Sequence, residues 1–244
     1  MNINATVDRK DIKEALGILA APIDSHNADP PANVLIERLR TALHGCPEFM
    51  LQGKALQWKV RLILNDLGFV VSSPREGRES LEEFVFTNPH ADPDRPVVVE
   101  VKSRPAEYEH RLVPLRQLDD FVFELSGEQE IRLEGLRSRP KKSGTVYREF
   151  GCLIDDSSPK HPTPHKGLLI QNAPCNLSFE HRSKDCFQFQ QVEFAEKRGF
   201  CLLSLEDLLA WNAACRKSAD MKDQFWVAIH NTFGVLGAPQ NCNE

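Results

Sequence analysis

The sequence predicts an α/β fold, a three-layer α/β/α sandwich with a mixed central sheet. In the first half of the chain, a helical pattern is followed by three short strand patterns joined by turns and then by another helical pattern. In the second half, short apolar strands alternate with helical patterns. The first order is typical of an α/β sandwich, and the second is the order that parallel strands with crossover connections require.

The elements of the first half follow from the spacing of apolar residues. Helical spacing predicts helices at residues 33–43 and 56–67, and Gly68 closes the second of them. Strands are predicted at residues 69–71, 84–86 and 97–102, with turn residues along the connection 87–95. A further helix is predicted at residues 113–125.

The second half begins with a segment that interrupts this order. Residues at about 127–165 are predicted to be an insertion, with a strand at residues 146–154. Beyond it the pattern predicts strands at residues 167–170 and 199–203, and helices at residues 189–198 and from 205 through 211. Residues 1–32 hold a short amphipathic segment and three prolines, which favours an N-terminal arm or linker, and residues 33–244 are then one domain.

Composition limits the classes of function. The formal net charge of −5 gives no whole-chain electrostatic case for nucleic acid, although basic residues cluster between residues 132 and 148. We expect no membrane contact, because no apolar stretch reaches roughly 18 residues and the first residues lack the order of a secretory signal. Seven cysteines without a CxxC pair predict reduced thiols and a cytoplasmic protein. The spacing of His161, His165, Cys175 and Cys186 fits no common zinc module.

The strand at residues 97–102 carries the pattern that most strongly indicates a site. Side chains alternate along a strand, so Glu100 and Lys102 share the face of Val98, while three other valines share the opposite face. Burying charge is costly unless the charge is paired or binds a metal. A carboxylate and an ammonium group side by side at the end of a buried strand therefore predict a functional site.

The preceding strand offers a second carboxylate. If residues 84–86 pair with residues 97–102, Glu83, or Glu82 as its substitute, approaches Glu100. Two carboxylates repel each other, and a divalent cation relieves that repulsion. Mg²⁺ suits such a site because it takes oxygen ligands and keeps waters. There it would polarise a phosphodiester and activate water, which Lys102 would orient or deprotonate.

An acidic residue, a strand hairpin and then Glu-x-Lys, as in Glu83 to Lys102, resemble the PD-(D/E)XK, or restriction-endonuclease-like, nuclease superfamily. The resemblance extends over about residues 50–215. Residues 52–57 are similar to the helix that precedes the metal-binding strands, and residues 116–118 resemble the glutamine-bearing helix of restriction and repair members. Residues 166–172 and the stretch beyond them resemble the distal half of prokaryotic members linked to restriction and defence.

The resemblance implies a restriction-endonuclease-like fold and a Mg²⁺-dependent nuclease, with Mn²⁺ as a substitute metal. It implies that Glu83 and Glu100 bind the metal, that Lys102 acts on the attacking water, and that Gln117 contacts water, phosphate or Lys102. DNA is the implied substrate, in restriction or phage defence, and RNA stays open as an alternative. Because one metal cluster cuts one strand, a homodimer would suit the cutting of a duplex.

Two positions depart from the pattern of the superfamily. Gln57 stands where the preceding helix usually has a glutamate, and Glu83 stands where the second strand usually has an aspartate. These departures leave two alternatives open: a weak or inactive nuclease-fold subunit that binds nucleic acid or a partner protein, or an effector that needs an activator. Asp119 and Asp120 are expected to be exposed helix charges.

Overall fold

The computed structural model describes residues 9–19, 30–47, 51–72, 83–104, 112–125, 165–175, 180 and 186–239. Its helices are α1 (Arg9–Ile18), α2 (Ala32–His44), α3 (Gly53–Asp66), α4 (Val113–Leu125), α5 (Phe189–Arg198), α6 (Leu205–Lys217) and α7 (Ala219–Asn231). Its strands are β1 (Val70–Ser72), β2 (Glu83–Asn88), β3 (Asp92–Ser103), β4 (Lys166–Asn172), β5 (Cys201–Ser204) and β6 (Gly234–Leu236). None of the helices in this part of the chain has both the length and the apolarity to cross a membrane. Several predicted features lie outside these ranges. They are Glu82, the basic cluster between residues 132 and 148, the strand predicted at 146–154 and all but the last residue of the predicted insertion.

The six strands form one mixed sheet in the order of the chain. β1, β2 and β3 pair antiparallel, which confirms the predicted meander. β3, β4, β5 and β6 pair parallel, and each connection between them contains one or two of the described helices. The architecture is therefore α/β with a mixed central sheet.

Helices cover both faces of the sheet because its strands are apolar on both sides. On the first face, Phe84 and Val99 pack with α1, α2, α3, α6 and α7. On the second face, Val98 and Leu169 pack with α4 and α5. Each such side chain contributes roughly 1.5–3 kcal/mol when it is fully buried. The arrangement is compatible with a three-layer sandwich, and the alternation along β3 assigns Glu100 to the second face.

The amino-terminal segment differs from the arm or linker that its prolines suggested. Its described part forms α1, and the side chains of Ile12, Ala15 and Leu16 are buried in the core of the first face. The 10-residue helix is too short to be stable alone, so its stability comes from this packing. α1 therefore belongs to the same folded unit as the sheet.

Several element boundaries also differ from the predicted ones. β3 begins at Asp92, so the turn between β2 and β3 is confined to residues 89–91, and the residues 92–94 that favour turns lie in the strand. α6 extends beyond its predicted end to Lys217, and α7 and β6 were not predicted. β6 has only three residues, which is too short for an alternation to be recognised in the sequence.

Candidate functional site

Glu100 and Lys102 lie near the carboxyl end of β3 and form an ion pair. The Lys102 Nζ atom is 2.8 Å from Glu100 Oε1. Glu100 is fully buried, whereas 22% of the Lys102 side chain is exposed. A lysine can bury its methylene stem and keep its ammonium group near water. The predicted juxtaposition of a buried carboxylate and an amine is therefore present, and the lysine side chain is partly exposed.

Glu83 occupies the position on β2 that pairs directly with Glu100 on β3. Residues that are directly opposite across antiparallel strands share a face and have Cβ atoms about 4.5–5.5 Å apart. The register therefore assigns Glu83 to the second face, beside Glu100. The hairpin that the sequence predicts between these two residues brings together the two positions named as metal ligands.

Polar residues continue across the parallel strands next to this pair. The registers place Lys102 of β3 beside Gln171 of β4, and Gln171 beside Ser204 of β5. These three positions form a row at the carboxyl ends of their strands, where ligands bind in open α/β sheets. Ser204 is already used by the fold, because its Oγ accepts a hydrogen bond of 3.0 Å from the Asp207 backbone N–H at the start of α6.

Gln171 is a residue of this row that the sequence reasoning missed. It is fully buried, and its Nε2 donates a hydrogen bond of 2.8 Å to the Cys186 carbonyl. Within the described residues, its Oε1 has no hydrogen-bond partner. The signal in the sequence was an amide at the end of an apolar strand, two residues after Leu169 and so on the same face.

The helix α4 lies over the second face, but Gln117 is on its exposed side. No contact within the described part of the chain joins Gln117 to Glu100 or Lys102, so its role remains a prediction. The expectation that Asp119 is exposed is wrong. Asp119 is only 6% exposed, and its Oδ2 lies 3.7 Å from Arg198 Nη2, because α5 packs beside α4.

Gln57 does not face the same layer as the acidic pair. It is buried on α3, a helix whose apolar side chains pack on the first face of the sheet. The start of α3 is attached to the ends of β3 and β4: Asn172 Nδ2 donates to the Leu51 carbonyl at 2.7 Å, and the Gly53 backbone N–H donates to Ser103 Oγ at 3.3 Å. These contacts position α3 across the sheet from Glu100.

A second lysine, which is buried, lies at the opposite end of the parallel strands. The Lys166 Nζ donates hydrogen bonds to the carbonyls of Gly199 and Thr232, at 2.6 and 2.7 Å, and lies 4.2 Å from the centre of the Phe233 ring. Burial lowers the pKa of Lys166 to about 8, against a smaller opposing effect of Cys201. Burial raises the pKa of the Cys201 thiol to about 12, with Lys166 opposing it.

The acidic residue types at the paired positions 83 and 100 are those that suit a hard cation. In the part of the chain that the structure describes, there is no group of three or more His, Cys, Asp or Glu side chains that could hold a metal ion. Mg²⁺ needs fewer protein ligands than this, because it keeps several waters and commonly uses one or two carboxylates together with substrate phosphates. Glu83 and Glu100, at paired positions, fit that requirement.

Comparisons of the chain with family models, with curated proteins and with solved structures found no match in any of the three. The functional assignment is therefore built on the geometry of the second face and on the chemistry of its residues.

Proposed function

We propose that this protein is a Mg²⁺-dependent nuclease of restriction-endonuclease-like fold that hydrolyses phosphodiester bonds of DNA. The observation that carries the proposal is the register of β2 and β3, which pairs Glu83 with Glu100, together with the 2.8 Å contact between Glu100 and Lys102. Two acidic positions and an amine at one strand end are the residue types that metal-assisted phosphodiester hydrolysis uses.

The roles of the residues follow from their charges and burial. The carboxylates of Glu83 and Glu100 would bind the cation, and burial of Glu100 strengthens that electrostatic interaction. Mg²⁺ would supply charge neutralisation at the phosphate and a water of lowered pKa. With a cation bound to Glu100, Lys102 would lose its ammonium proton to solvent, and the neutral amine would orient the attacking water and take its proton. The water oxygen then bonds to phosphorus, the bond to the leaving oxygen breaks, and that oxygen takes up a proton from solvent.

Gln117 keeps its predicted role as a substrate contact in this proposal. Its exposure on α4 is compatible with a hydrogen bond to a DNA phosphate outside the core. Replacement by alanine is therefore expected to raise KM for DNA and to leave kcat unchanged, since a contact made equally in the ground state and the transition state affects binding alone.

Cleavage assays with supercoiled DNA, linear DNA and RNA in Mg²⁺ or Mn²⁺ test the proposal. Wild-type protein is expected to cleave DNA, and Glu100→Gln and Lys102→Met are expected to lose that activity. Glu206→Gln and Lys217→Met, which change exposed residues of α6, serve as matched controls and are expected to retain it. Equal background cleavage by all these proteins would contradict the proposal, and cleavage of RNA alone would change the substrate.

Two observations favour a second candidate function, that of a nuclease-fold subunit that binds nucleic acid or a partner protein without cleavage. Lys102 already balances the charge of Glu100 at 2.8 Å, and Gln57 of α3 packs on the other side of the sheet. In that case the Glu100–Lys102 pair is structural, and Mn²⁺ uptake does not depend on Glu100.

An effector that needs an activator is distinguished by cleavage that begins only when a partner is added. A homodimer is detected by sedimentation at several protein concentrations.

A further inference from the structure

We infer that Gln171 is a further catalytic residue of this site, and that its Oε1 accepts a hydrogen bond from the water that attacks phosphorus. The inference rests on the proposed nuclease function and names a residue that the resemblance did not assign. It depends on three features of Gln171: its register, its fixed orientation and its unused acceptor.

The register brings Gln171 next to the amine of the site. Gln171 on β4 pairs with Lys102 on the adjacent parallel strand β3. Neighbouring strands are about 4.8 Å apart, and paired residues on adjacent strands share a face of the sheet. Gln171 is therefore on the second face, one strand away from Lys102 and close to the position of Glu100.

The orientation of the Gln171 amide is fixed by hydrogen bonds from its Nε2 to Cys186, whose carbonyl accepts the shorter one and whose Sγ atom lies 4.0 Å away. Its Nε2 donates to the Cys186 carbonyl, 2.8 Å away, in the segment that precedes α5. Reversing the amide would set its oxygen against the carbonyl oxygen of Cys186, and two acceptors repel each other. Oε1 is therefore held on the other arm of the amide, away from Cys186.

The Oε1 atom is a buried acceptor that the described part of the fold does not use. Gln171 is fully buried, and no described residue donates to Oε1. A buried acceptor without a donor lowers stability, and such groups are uncommon in folded proteins outside functional sites. The next residue, Asn172, shows the usual outcome, because its buried amide donates to the Leu51 carbonyl on the first face.

A water molecule is the donor that completes this arrangement. Lys102 Nζ is directed to Glu100 Oε1, so a water between Lys102 and Gln171 can give one proton to Oε1 as a hydrogen bond and keep a lone pair for phosphorus. A carboxamide does not ionise near neutral pH, so Gln171 orients the water without removing its proton. The other proton of the water passes to Lys102, in the neutral form that the proposed mechanism requires, as the bond to phosphorus forms. The bond to the leaving oxygen then breaks, and that oxygen takes up a proton from solvent.

Steady-state kinetics of Gln171 variants test the inference, with Asn172→Leu as the matched control. Gln171→Met removes the acceptor. Gln171→Asn keeps an amide acceptor but shortens the side chain by one methylene. Both are expected to lower kcat, on the order of tenfold for the loss of one hydrogen bond, with KM for DNA and Mn²⁺ affinity unchanged. Asn172→Leu removes an equally buried amide from the other face, so it is expected to lower the melting temperature and to leave kcat unchanged.

The outcomes separate this inference from the proposed function. Wild-type kcat in either folded Gln171 variant, with cleavage still abolished in Glu100→Gln, would overturn the role of Gln171 and leave the nuclease proposal intact. A change in KM or Mn²⁺ affinity without a change in kcat would also overturn it. If wild-type protein shows no cleavage that depends on Glu100, the proposed function and the inference fall together.

Discussion

Two lysines lie at opposite ends of the parallel strands, and their partners differ. Lys102, near the carboxyl end of β3, is 2.8 Å from the carboxylate of Glu100 and keeps 22% of its side chain exposed. Lys166, at the amino end of β4, is only 7% exposed, and it donates to the backbone carbonyls of Gly199 and Thr232. One amine is therefore paired with an ionisable side chain that a cation can share, and the other is bound to the backbone.

This difference in partners distinguishes a lysine that stabilises the fold from a lysine of the proposed site. Gly199 and Thr232 are the C-cap residues of α5 and α7, so Lys166 lies at the negative ends of two helix dipoles. That position attaches the ends of two helices to the start of β4 and leaves Lys166 buried. Lys102 is instead paired with the buried carboxylate of Glu100, which in the proposed mechanism would exchange the ammonium group for a cation.

The largest expected effect is a loss of DNA cleavage in Lys102→Met that does not occur in Lys166→Met. Lys102→Met is expected to lower kcat for DNA cleavage by about 10²-fold or more, because the group proposed to orient and deprotonate the water is lost. Lys166→Met is expected to leave kcat per folded molecule unchanged. Kinetics at a fixed concentration of folded protein measure both. A similar loss of kcat in both variants would remove the distinction between the two ends of the sheet.

The free energy of unfolding is expected to fall more in Lys166→Met than in Lys102→Met. Lys166→Met removes the donor of two hydrogen bonds to backbone carbonyl oxygens, so it is expected to lower the free energy of unfolding by about 2 kcal/mol. Lys102→Met is expected to lower it less, because Lys102 is partly exposed. Urea denaturation of both variants measures the difference. A larger loss in Lys102→Met would show that the Glu100–Lys102 pair is mainly structural.

The residue after Lys166 tests how tightly the amino end of β4 is packed. A Cβ atom at Gly167 would lie 2.6 Å from Cδ1 of the buried Phe200 ring. Gly167→Ala is therefore expected to lower the free energy of unfolding by about 1–3 kcal/mol. Gly17 in α1 has no atom within 4 Å of the same position, so Gly17→Ala is expected to raise it by about 0.5–1 kcal/mol. Equal effects in thermal denaturation would show that Phe200 moves freely.

The smallest expected effect is a pH dependence from Lys166. Burial lowers its pKa from 10.5 to about 8, so between these values the folded protein has lost a proton that the unfolded chain retains. Folding then releases a proton, and the contribution of Lys166 to stability rises with pH across this window. The difference in unfolding free energy between wild type and Lys166→Met is therefore expected to be larger at pH 9 than at pH 7. A smaller difference at pH 9 would contradict the effect of burial.

Much of the fold was predictable because most of its signals are local. The helices at α4 and α5, the β1–β3 meander and the pairing of Glu83 with Glu100 need only the spacing of residues and one short connection. Residue positions that depend on distant segments were missed. Gln171 lies beside Lys102 through a parallel pairing of strands far apart in the chain, and Asp119 is buried because Arg198 on α5 approaches it.

The proposed cation site is tested most directly by calorimetric titration of Mn²⁺ into wild-type protein and the Glu83→Gln, Glu100→Gln and Glu206→Gln variants. We expect wild type and Glu206→Gln to bind Mn²⁺ with the same affinity, and we expect binding to be lost in the variants of the paired positions Glu83 and Glu100. Uptake that is absent from wild type, or that is equal in all four proteins, would contradict a cation held between β2 and β3.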